Sequence, residues 1–527
     1  MVSENLIIKD WRTIDYSFGL IYPNIYKIGM SSYSIRLLYH LINNYENIAC
    51  ERIFLPEKIK FPASKDFSSE GILRSIENKI RPQDFDILGF SIHFENDFKN
   101  VLWILDKSRI PLTFQRRQDL RNKKGENFPL IIGGGPVITS NPLPFSKIFD
   151  LFFIGDAEPN IDQFFNVFKE FKYQKISYQE FLTQVDKIKG IFVPSLSTIS
   201  TRAVLKNLDD SNIPIYQLRS SSSIDSPIFE NNFFIEINRG CPYQCKFCIS
   251  SFHNSPFRNR SYEKITECVD KALEYSNFST LSLIGSSVSS HPNFKQICEF
   301  ILNKGKRLTL PSLRIDHLTQ EIIRILELGD IKTVTIAPEA GSEDLRYLLG
   351  KNFSNKKILS VLSQIRSSKI RNVKFYFLIG LPEEQEKDVD EIISLIKSID
   401  NLRFPNDSLR VNINPFIPKL NTPFEKEVGF YFKEELDNLI RKYKKIEREL
   451  KNIQSVKLKS MNFKTIVKNA RLQTMISLGD RGISDVLINY YLNGANFGAL
   501  KKAENDLCFS FGQYLLKIKE GYSPWKL

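Results

Sequence analysis

A chain of 527 residues is too long for one ordinary core, so two or three domains are expected. With 42% hydrophobic and 25% charged residues it has a globular composition, and no run approaches the ~20 apolar residues that cross a bilayer. The formal charge of +13 leaves open RNA, an anionic membrane surface or an acidic cofactor as partner, beside the plainer reading of ordinary background charge.

The opening residues, MVSENLIIKDWR, lack the apolar stretch of a signal peptide, and seven cysteines are too few for a disulfide scaffold. A cytoplasmic protein is expected, with peripheral membrane contact still open. Ser17–Tyr22 reads as a short strand ending at Pro23, followed by a loop through Gly29. The segment SSYSIRLLYHLI then opens with serines suited to capping a helix. Ala49–Phe54 and Asp86–Ile92 read as further strands, the latter leading into the helical NDFKNVLWILDKS. RRQDLRNKK at 116–124 reads as an exposed basic loop. Leu130–Ile132 runs into Gly133-Gly134-Gly135-Pro136, and Leu151–Ile154 into Gly155-Asp156-Ala157-Glu158. Strand, glycine turn and helix in repetition predict an open Rossmann-like parallel sheet over residues 1–200. Ligands of such sheets sit beyond the carboxyl ends of the strands, where these turns fall. Any one of the turns is equally explained as a tight turn and nothing more.

Residues 201–231, rich in Ser, Asn and Asp, predict a linker. A second α/β series over 232–428 has strands at Phe233–Ile237, Thr280–Ile284, Arg307–Leu310, Thr333–Ile336, Val373–Ile379 and Leu409–Ile413. With helical patterns between them these predict a partial (β/α)6 barrel. Residues 429–527 read as a helical region. Its basic residues Lys442, Lys444, Lys445, Arg448 and Lys451 suit RNA phosphates, anionic lipid headgroups or simply a solvated helix face.

Cys50, Cys268, Cys298 and Cys508 stand alone and read as small buried hydrophobes. Cys241, Cys245 and Cys248 instead crowd one loop directly after the strand FFIEINR. Three thiolates there can wrap one metal centre. On a cubane cluster of about four irons they would leave one iron with an open position. A zinc site is the alternative, with His253 as the one nearby fourth ligand, although zinc sites usually pair cysteines as C-x2-C.

C-x3-C-x2-C with an aromatic residue before the last cysteine resembles the radical S-adenosylmethionine (SAM) superfamily. The resemblance implies a [4Fe–4S] cluster on Cys241, Cys245 and Cys248 whose open iron chelates the amino and carboxylate groups of SAM. Reductive cleavage then yields a 5′-deoxyadenosyl radical, with ferredoxin or flavodoxin as electron donor. Phe247 would pack beside the cosubstrate. Gly285, Ser286 and Ser287 end a strand where the superfamily binds the methionyl amino group, without the carboxylate often found there. Arg314 follows the next strand. IAPEAGS resembles a further strand end and makes Glu339 a cosubstrate contact, while FLIGLPE places Gly380 at a similar turn.

The leading domain resembles the cobalamin-binding-type domains of one branch of this superfamily, through YPNIYKIGMSS, DILGFSI, IIGGGP and FIGDAE. That implies a corrin near Ser91, Gly133, Gly134, Gly155 and Glu158. The cobalt-ligating D-x-H-x-x-G signature is absent, as it is in many members of the branch. The resemblance implies C–H functionalisation (methylation, ring formation or rearrangement), cobalamin-assisted as in this branch, on a small-molecule, lipid or RNA substrate. The alternatives are a cobalamin-independent radical SAM enzyme that modifies RNA and a zinc-stabilised nucleic-acid-binding protein. Methylthiotransferases of the superfamily usually carry three further cysteines in the leading domain, where this chain has only Cys50, and end in a small β-barrel.

Overall fold

The computed structural model describes residues 5–62, 72–219, 231–428, 433–459 and 462–527. The N-terminal sheet has the order β2-β1-β3-β4-β5-β6, from β1 (Tyr16–Ile25), β2 (Ile48–Leu55), β3 (Ile87–Ser91), β4 (Leu130–Gly134), β5 (Leu151–Phe153) and β6 (Ile191–Phe192). All pairings are parallel except the last. The order places β1 beside β3, so helices cross from one strand to the next and both faces need cover.

Alternation along the strands sends different residues to each face. Phe18 and Leu20 of β1 join one core with α1 (Tyr33–Asn43) and α3 (Ile161–Lys172). In α3 the buried Ile161, Phe164, Phe165 and Phe168 recur at helical spacing and face the sheet. Ile21 of β1 and Phe90 of β3 join the opposite core, with α2 (Phe98–Lys107) between the strands and the C-terminal helices.

The second domain holds two parallel sheets. One has the order β11-β10-β7, from β7 (Asn232–Glu236), β10 (Thr280–Ile284) and β11 (Arg307–Thr309). The other is β12-β13-β14-β15, from β12 (Thr333–Glu339), β13 (Asn372–Ile379), β14 (Leu409–Pro415) and β15 (Val456–Leu458). The Leu313 N–H donates to Thr335 O at 3.2 Å and stitches the two into a curved, open barrel around one core. A short antiparallel hairpin, β8 (Asn238–Arg239) with β9 (Arg258–Asn259), brackets the cysteine loop.

Three sequence expectations are corrected. The basic segment at 116–124 is helical, within Phe114–Lys124, because Thr113 caps its start and Gly125 ends it in the left-handed region at φ 66°. The barrel gains a seventh strand, β15, which the sequence reading placed inside the helical region 429–527. That region also divides its packing. Helix α6 (Lys433–Leu450) turns Leu439, Tyr443, Ile446 and Leu450 into the barrel core. Helix α7 (Phe463–Leu478) begins in the barrel core at Phe463 and Val467 and ends in the N-terminal core at Met475 and Ile476. Helices α8 (Ile483–Leu492), α9 (Phe497–Asp506) and α10 (Phe511–Lys519) then close that N-terminal face. Of the expected linker, Ala203 bridges to Gly155, and residues 220–230 lie outside the described residues. No helix among the described residues is long and apolar enough to cross a membrane.

Candidate functional site

The chain leaves β7 and β8 at Gly240, whose φ of 80° suits glycine and where a Cβ would lie 2.5 Å from Asn254 O. Cys245 is buried, and Cys241 and Cys248 are half-buried. Burial pushes the Cys241 and Cys245 thiols up, so neither is a self-activated thiolate. Among the described residues no three His, Cys, Asp or Glu side chains converge on a single-ion site. His253, the fourth ligand of the zinc alternative, is buried and pairs through Nε2 with Leu420 O at 2.8 Å.

The segment after the short helix Glu343–Leu348 docks on the cysteine loop. The Lys246 N–H donates to Leu349 O at 3.1 Å, and Cys245 Sγ lies 4.0 Å from Gly350 O. Lys351 Nζ donates to Ala337 O at 2.6 Å and Glu339 Oε1 at 2.9 Å, and sits 5.9 Å from the Phe247 ring centroid. On the other side, the Arg314 guanidinium lies 3.5 Å from the Tyr243 ring centroid and pairs with Asp316. Tyr243 Oη is 2.6 Å from His317 Nε2, and His317 Nδ1 is 2.9 Å from Ser289 Oγ. Phe247 packs against the small core of Leu345, Leu349 and Phe416.

The remaining barrel positions singled out from sequence gather at the carboxyl ends of its strands. Gly285 abuts Asn238, where a Cβ would meet Oδ1 at 2.1 Å, and Asn238 Nδ2 donates to Ser287 O at 2.8 Å. Ser286 is exposed between them. Glu339 ends β12 in the left-handed region at φ 67°, an uncommon conformation for a side-chain-bearing residue. Gly380, at φ 77°, donates its N–H to both carboxylate oxygens of Glu384 at 3.1 Å. Sequence reasoning missed Lys351, Tyr243 and His317. Only the GK pair following the EAGS segment hinted at Lys351.

A cavity of about 460 Å³ opens at the carboxyl ends of the N-terminal strands and faces the barrel. Ser91, Gly133, Gly134, Gly155 and Glu158 all line it, joined from the barrel side by Glu236, Arg239, Asn254 and Ile284. Gly135 has φ 101° and would bring a Cβ within 2.7 Å of Ile92 O, so the glycine turn lets two backbones approach. His93 Nε2 lies 3.0 Å from both Ser34 Oγ and Ser91 Oγ, and burial pushes its pKa down to about 4. The Tyr33 hydroxyl, also at the mouth, is buried without a partner. Asp156 and Glu158 reach across to the barrel: Arg239 pairs with Asp156 at 2.9 Å and Glu158 at 2.8 Å, and Arg258 with Asp156 at 2.7 Å. The residue preceding Gly240 and Cys241 is thereby tied to the rim of the cavity.

Residues 235–396, which begin in β7 and include this loop and these strand ends, match the family model described as radical SAM superfamily. Residues 34–194 match that described as radical SAM proteins, N-terminal. The chain belongs to the radical SAM superfamily. It is an iron–sulfur enzyme of the class that uses S-adenosylmethionine.

An uncharacterized protein of Methanocaldococcus jannaschii is 28% identical over 487 residues, covering 92% of this chain and 93% of that protein. The tRNA-2-methylthio-N(6)-dimethylallyladenosine synthase of Clostridium botulinum is 26% identical over 212 residues, 37% of this radical SAM chain and 47% of the synthase. The chain thus matches about half the length of that relative. Among solved structures, the radical SAM methyltransferase TsrM of Kitasatospora setae, with tryptophan and a SAM analogue bound, superposes with TM-score 0.53 at 13% identity. It covers 78% of this chain and 75% of TsrM, a likeness of fold that extends across both domains.

Proposed function

We propose that this radical SAM enzyme is cobalamin-assisted, with its [4Fe–4S] cluster on Cys241, Cys245 and Cys248 and the corrinoid in the interdomain cavity. The observation that carries the reading is the shared wall of the two sites. Arg239, directly before Gly240 and Cys241, lines the cavity and pairs with Asp156 and Glu158 on its rim.

The residues fit both groups. Three free thiols on one loop suit a cluster that would leave one iron open. The cavity offers glycine-lined strand ends for a large planar ligand and the unpartnered Tyr33 hydroxyl for one of its polar groups. One structure of TsrM, whose fold this chain shares, has cobalamin and a [4Fe–4S] cluster bound. When bound, the cluster would deliver an electron to SAM and release the radical that takes hydrogen from a substrate C–H bond.

The protein's own side chains do the positioning. Phe247 shields one side of the loop from water, and Glu339 with Lys351 offers a carboxylate and an ammonium beside it for the cosubstrate's charged ends. Gly285, Ser286, Ser287, Arg314 and Gly380 line the same strand ends. The substrate, a small molecule, lipid or RNA, would meet the radical between the barrel mouth and the cavity, with ferredoxin or flavodoxin as electron donor. Cys50 is fully buried and its thiol is pushed up by burial, which supports a core role over a second cluster of the methylthiotransferase kind.

Anaerobic reconstitution should give a brown protein with about four irons per chain that forms 5′-deoxyadenosine from SAM after reduction. Cys245→Ala should lose both properties. A colourless protein holding about one zinc would sink the cluster assignment. Hydroxocobalamin should survive desalting on the wild type.

A further inference from the structure

One face of the barrel sheet carries charge that no other side chain answers. Along β13 the buried Val373, Phe375 and Phe377 pack with the surrounding helices, so Lys374, Tyr376 and Leu378 stand on the opposite face. The same alternation puts Arg410 of β14 and Lys457 of β15 on that face, since Leu409, Val411 and Val456 belong to the helix-side core. Strand register sets these three cations side by side: Lys374 is opposite Arg410, and Arg410 is opposite Lys457. Neighbouring strands lie about 4.8 Å apart, so the row holds three positive charges within roughly 10 Å. Lys459 follows two positions beyond Lys457 on the same side and is exposed, as are Lys457 and Arg410. Among the described residues none of the four has a side-chain hydrogen bond or an ion pair; Lys374 only lies over the Tyr376 ring, 4.9 Å from its centroid.

Like charges directly opposite one another destabilise a sheet, and here they repeat across three strands with no carboxylate between them. Lysine on an edge strand has a simpler use, since it deters pairing with another chain, and β15 is the edge of its sheet. β13 and β14 are interior strands, so that use does not extend to Lys374 and Arg410. We propose that the row binds the phosphate or diphosphate group of a polar substrate whose reacting carbon extends up the barrel to the cluster. The inference rests on the radical SAM reading above and names the class of its substrate. Arg410, at the centre, suits a bidentate grip on phosphate oxygens, with a lysine on each side. Leu378, four residues beyond Lys374 and roughly 13 Å further along the strand, joins the small core against which Phe247 packs. The anionic group and the reacting carbon of a bound substrate are therefore about that far apart. The wall between them is polar: Tyr376 beside Asn412, then Asn414 beside Leu378, with Thr335 next to Lys374 on β12. A phosphate ester rich in hydroxyl or amide groups finds partners there, whereas an acyl or isoprenoid chain would strip water from those side chains and return nothing.

Equilibrium dialysis with radiolabelled pyrophosphate tests this on the full-length, cluster-reconstituted protein, without SAM and at fixed ionic strength. Wild type should bind pyrophosphate about tenfold or more tightly than sulfate; no binding, or equal affinity for the two, would overturn the proposal without any variant. Arg410→Gln should weaken pyrophosphate about tenfold, and Arg410→Gln with Lys457→Gln about a hundredfold. Both side chains are exposed, and an unchanged iron content reports a folded protein. Undiminished binding by the double variant would put the anion elsewhere, the cluster's iron included, and overturn the row. Geranyl diphosphate should bind no more tightly than pyrophosphate. A tenfold gain would mean that the row serves a lipid chain, and would overturn the polar substrate. Single-stranded RNA bound with an affinity that climbs with its length would assign the face to nucleic acid and equally overturn it. A protein that makes 5′-deoxyadenosine yet binds no pyrophosphate would overturn this inference alone. One that binds pyrophosphate yet makes no 5′-deoxyadenosine would uphold the anion row and remove the reaction assigned above it.

Discussion

His93 lines the mouth of the cavity beside Ser34 and Ser91. Burial holds its imidazole neutral, with the pKa pushed down to about 4, while an unfolded histidine takes up its proton near pH 6.5. Between these values the unfolded chain binds more protons, so stability rises with pH across that window. The contribution is fully present above about pH 6.5 and is lost as pH falls through about 4. His93→Gln should therefore flatten the acid side of the stability profile of the ligand-free protein, read as the urea midpoint at pH 4.5, 5.5 and 7. His253, also held near 4 by burial, should keep part of the slope. A His93→Gln profile parallel to wild type would refute the neutral ring. At this scale the sequence was readable where partners are local. The three cysteines fall within one loop, so spacing alone singles them out as candidate ligands. Tyr243 and His317 lie 74 positions apart, and no local pattern announces that they meet. Gly341 was read as part of a strand-end motif, but its closer constraint is packing: a Cβ there would reach Ile392 N at 2.1 Å.

Helix α6 shows what a basic pattern does and does not say. Lys442, Lys444, Lys445, Arg448 and Lys451 look alike in sequence, yet they have different surroundings. Lys442 is buried and pairs with Glu384 at 2.6 Å, and Glu384 in turn accepts the Gly380 N–H at the end of β13. Lys445 pairs with Asp390 at 2.5 Å, while Lys444 is exposed. Lys442→Met should cost about 3–5 kcal/mol by urea denaturation, because it strands a buried carboxylate, whereas Lys444→Gln should stay within about 0.5 kcal/mol. Similar losses for both would mean that the buried pair has no special weight. Burial raises the Glu384 pKa even with its partner present, so part of that penalty is relieved in the variant by protonation at low pH. The helix at Phe114–Lys124 failed the opposite way: its residues carry almost no apolar period, and its hold comes from Arg117, which pairs with the buried Asp150 at 3.0 Å.

At the scale of the molecule, the open parallel sheet and the curved barrel were legible because each strand is a short apolar run closed by a turn signal. The destination of the last helices was not, because an amphipathic pattern gives a buried face but not the surface that buries it. Helices α7 to α10 cover the N-terminal sheet on the side opposite the cavity, with Met475, Leu487, Phe511 and Trp525 among Phe90, Phe98, Phe145 and Phe152. Asn141 Nδ2 donates to Gly479 O at 2.8 Å, and Lys419 Nζ donates to Ser477 Oγ at 2.9 Å while pairing with Glu95. The barrel exit, the first domain and the C-terminal helices thus close on one another. A chain ended at residue 459 would retain every strand yet bare an apolar face well above the few hundred Å² that monomers ordinarily expose. It should aggregate or bind a hydrophobic dye strongly, and co-expression of 462–527 as a separate segment should restore a monodisperse species by light scattering. A soluble, dye-silent chain ending at 459 would show that the first domain closes without these helices. If 462–527 restores solubility, the two pieces should also recover hydroxocobalamin binding together, since the cavity lies on the other face of the same sheet and depends on its strands holding their register.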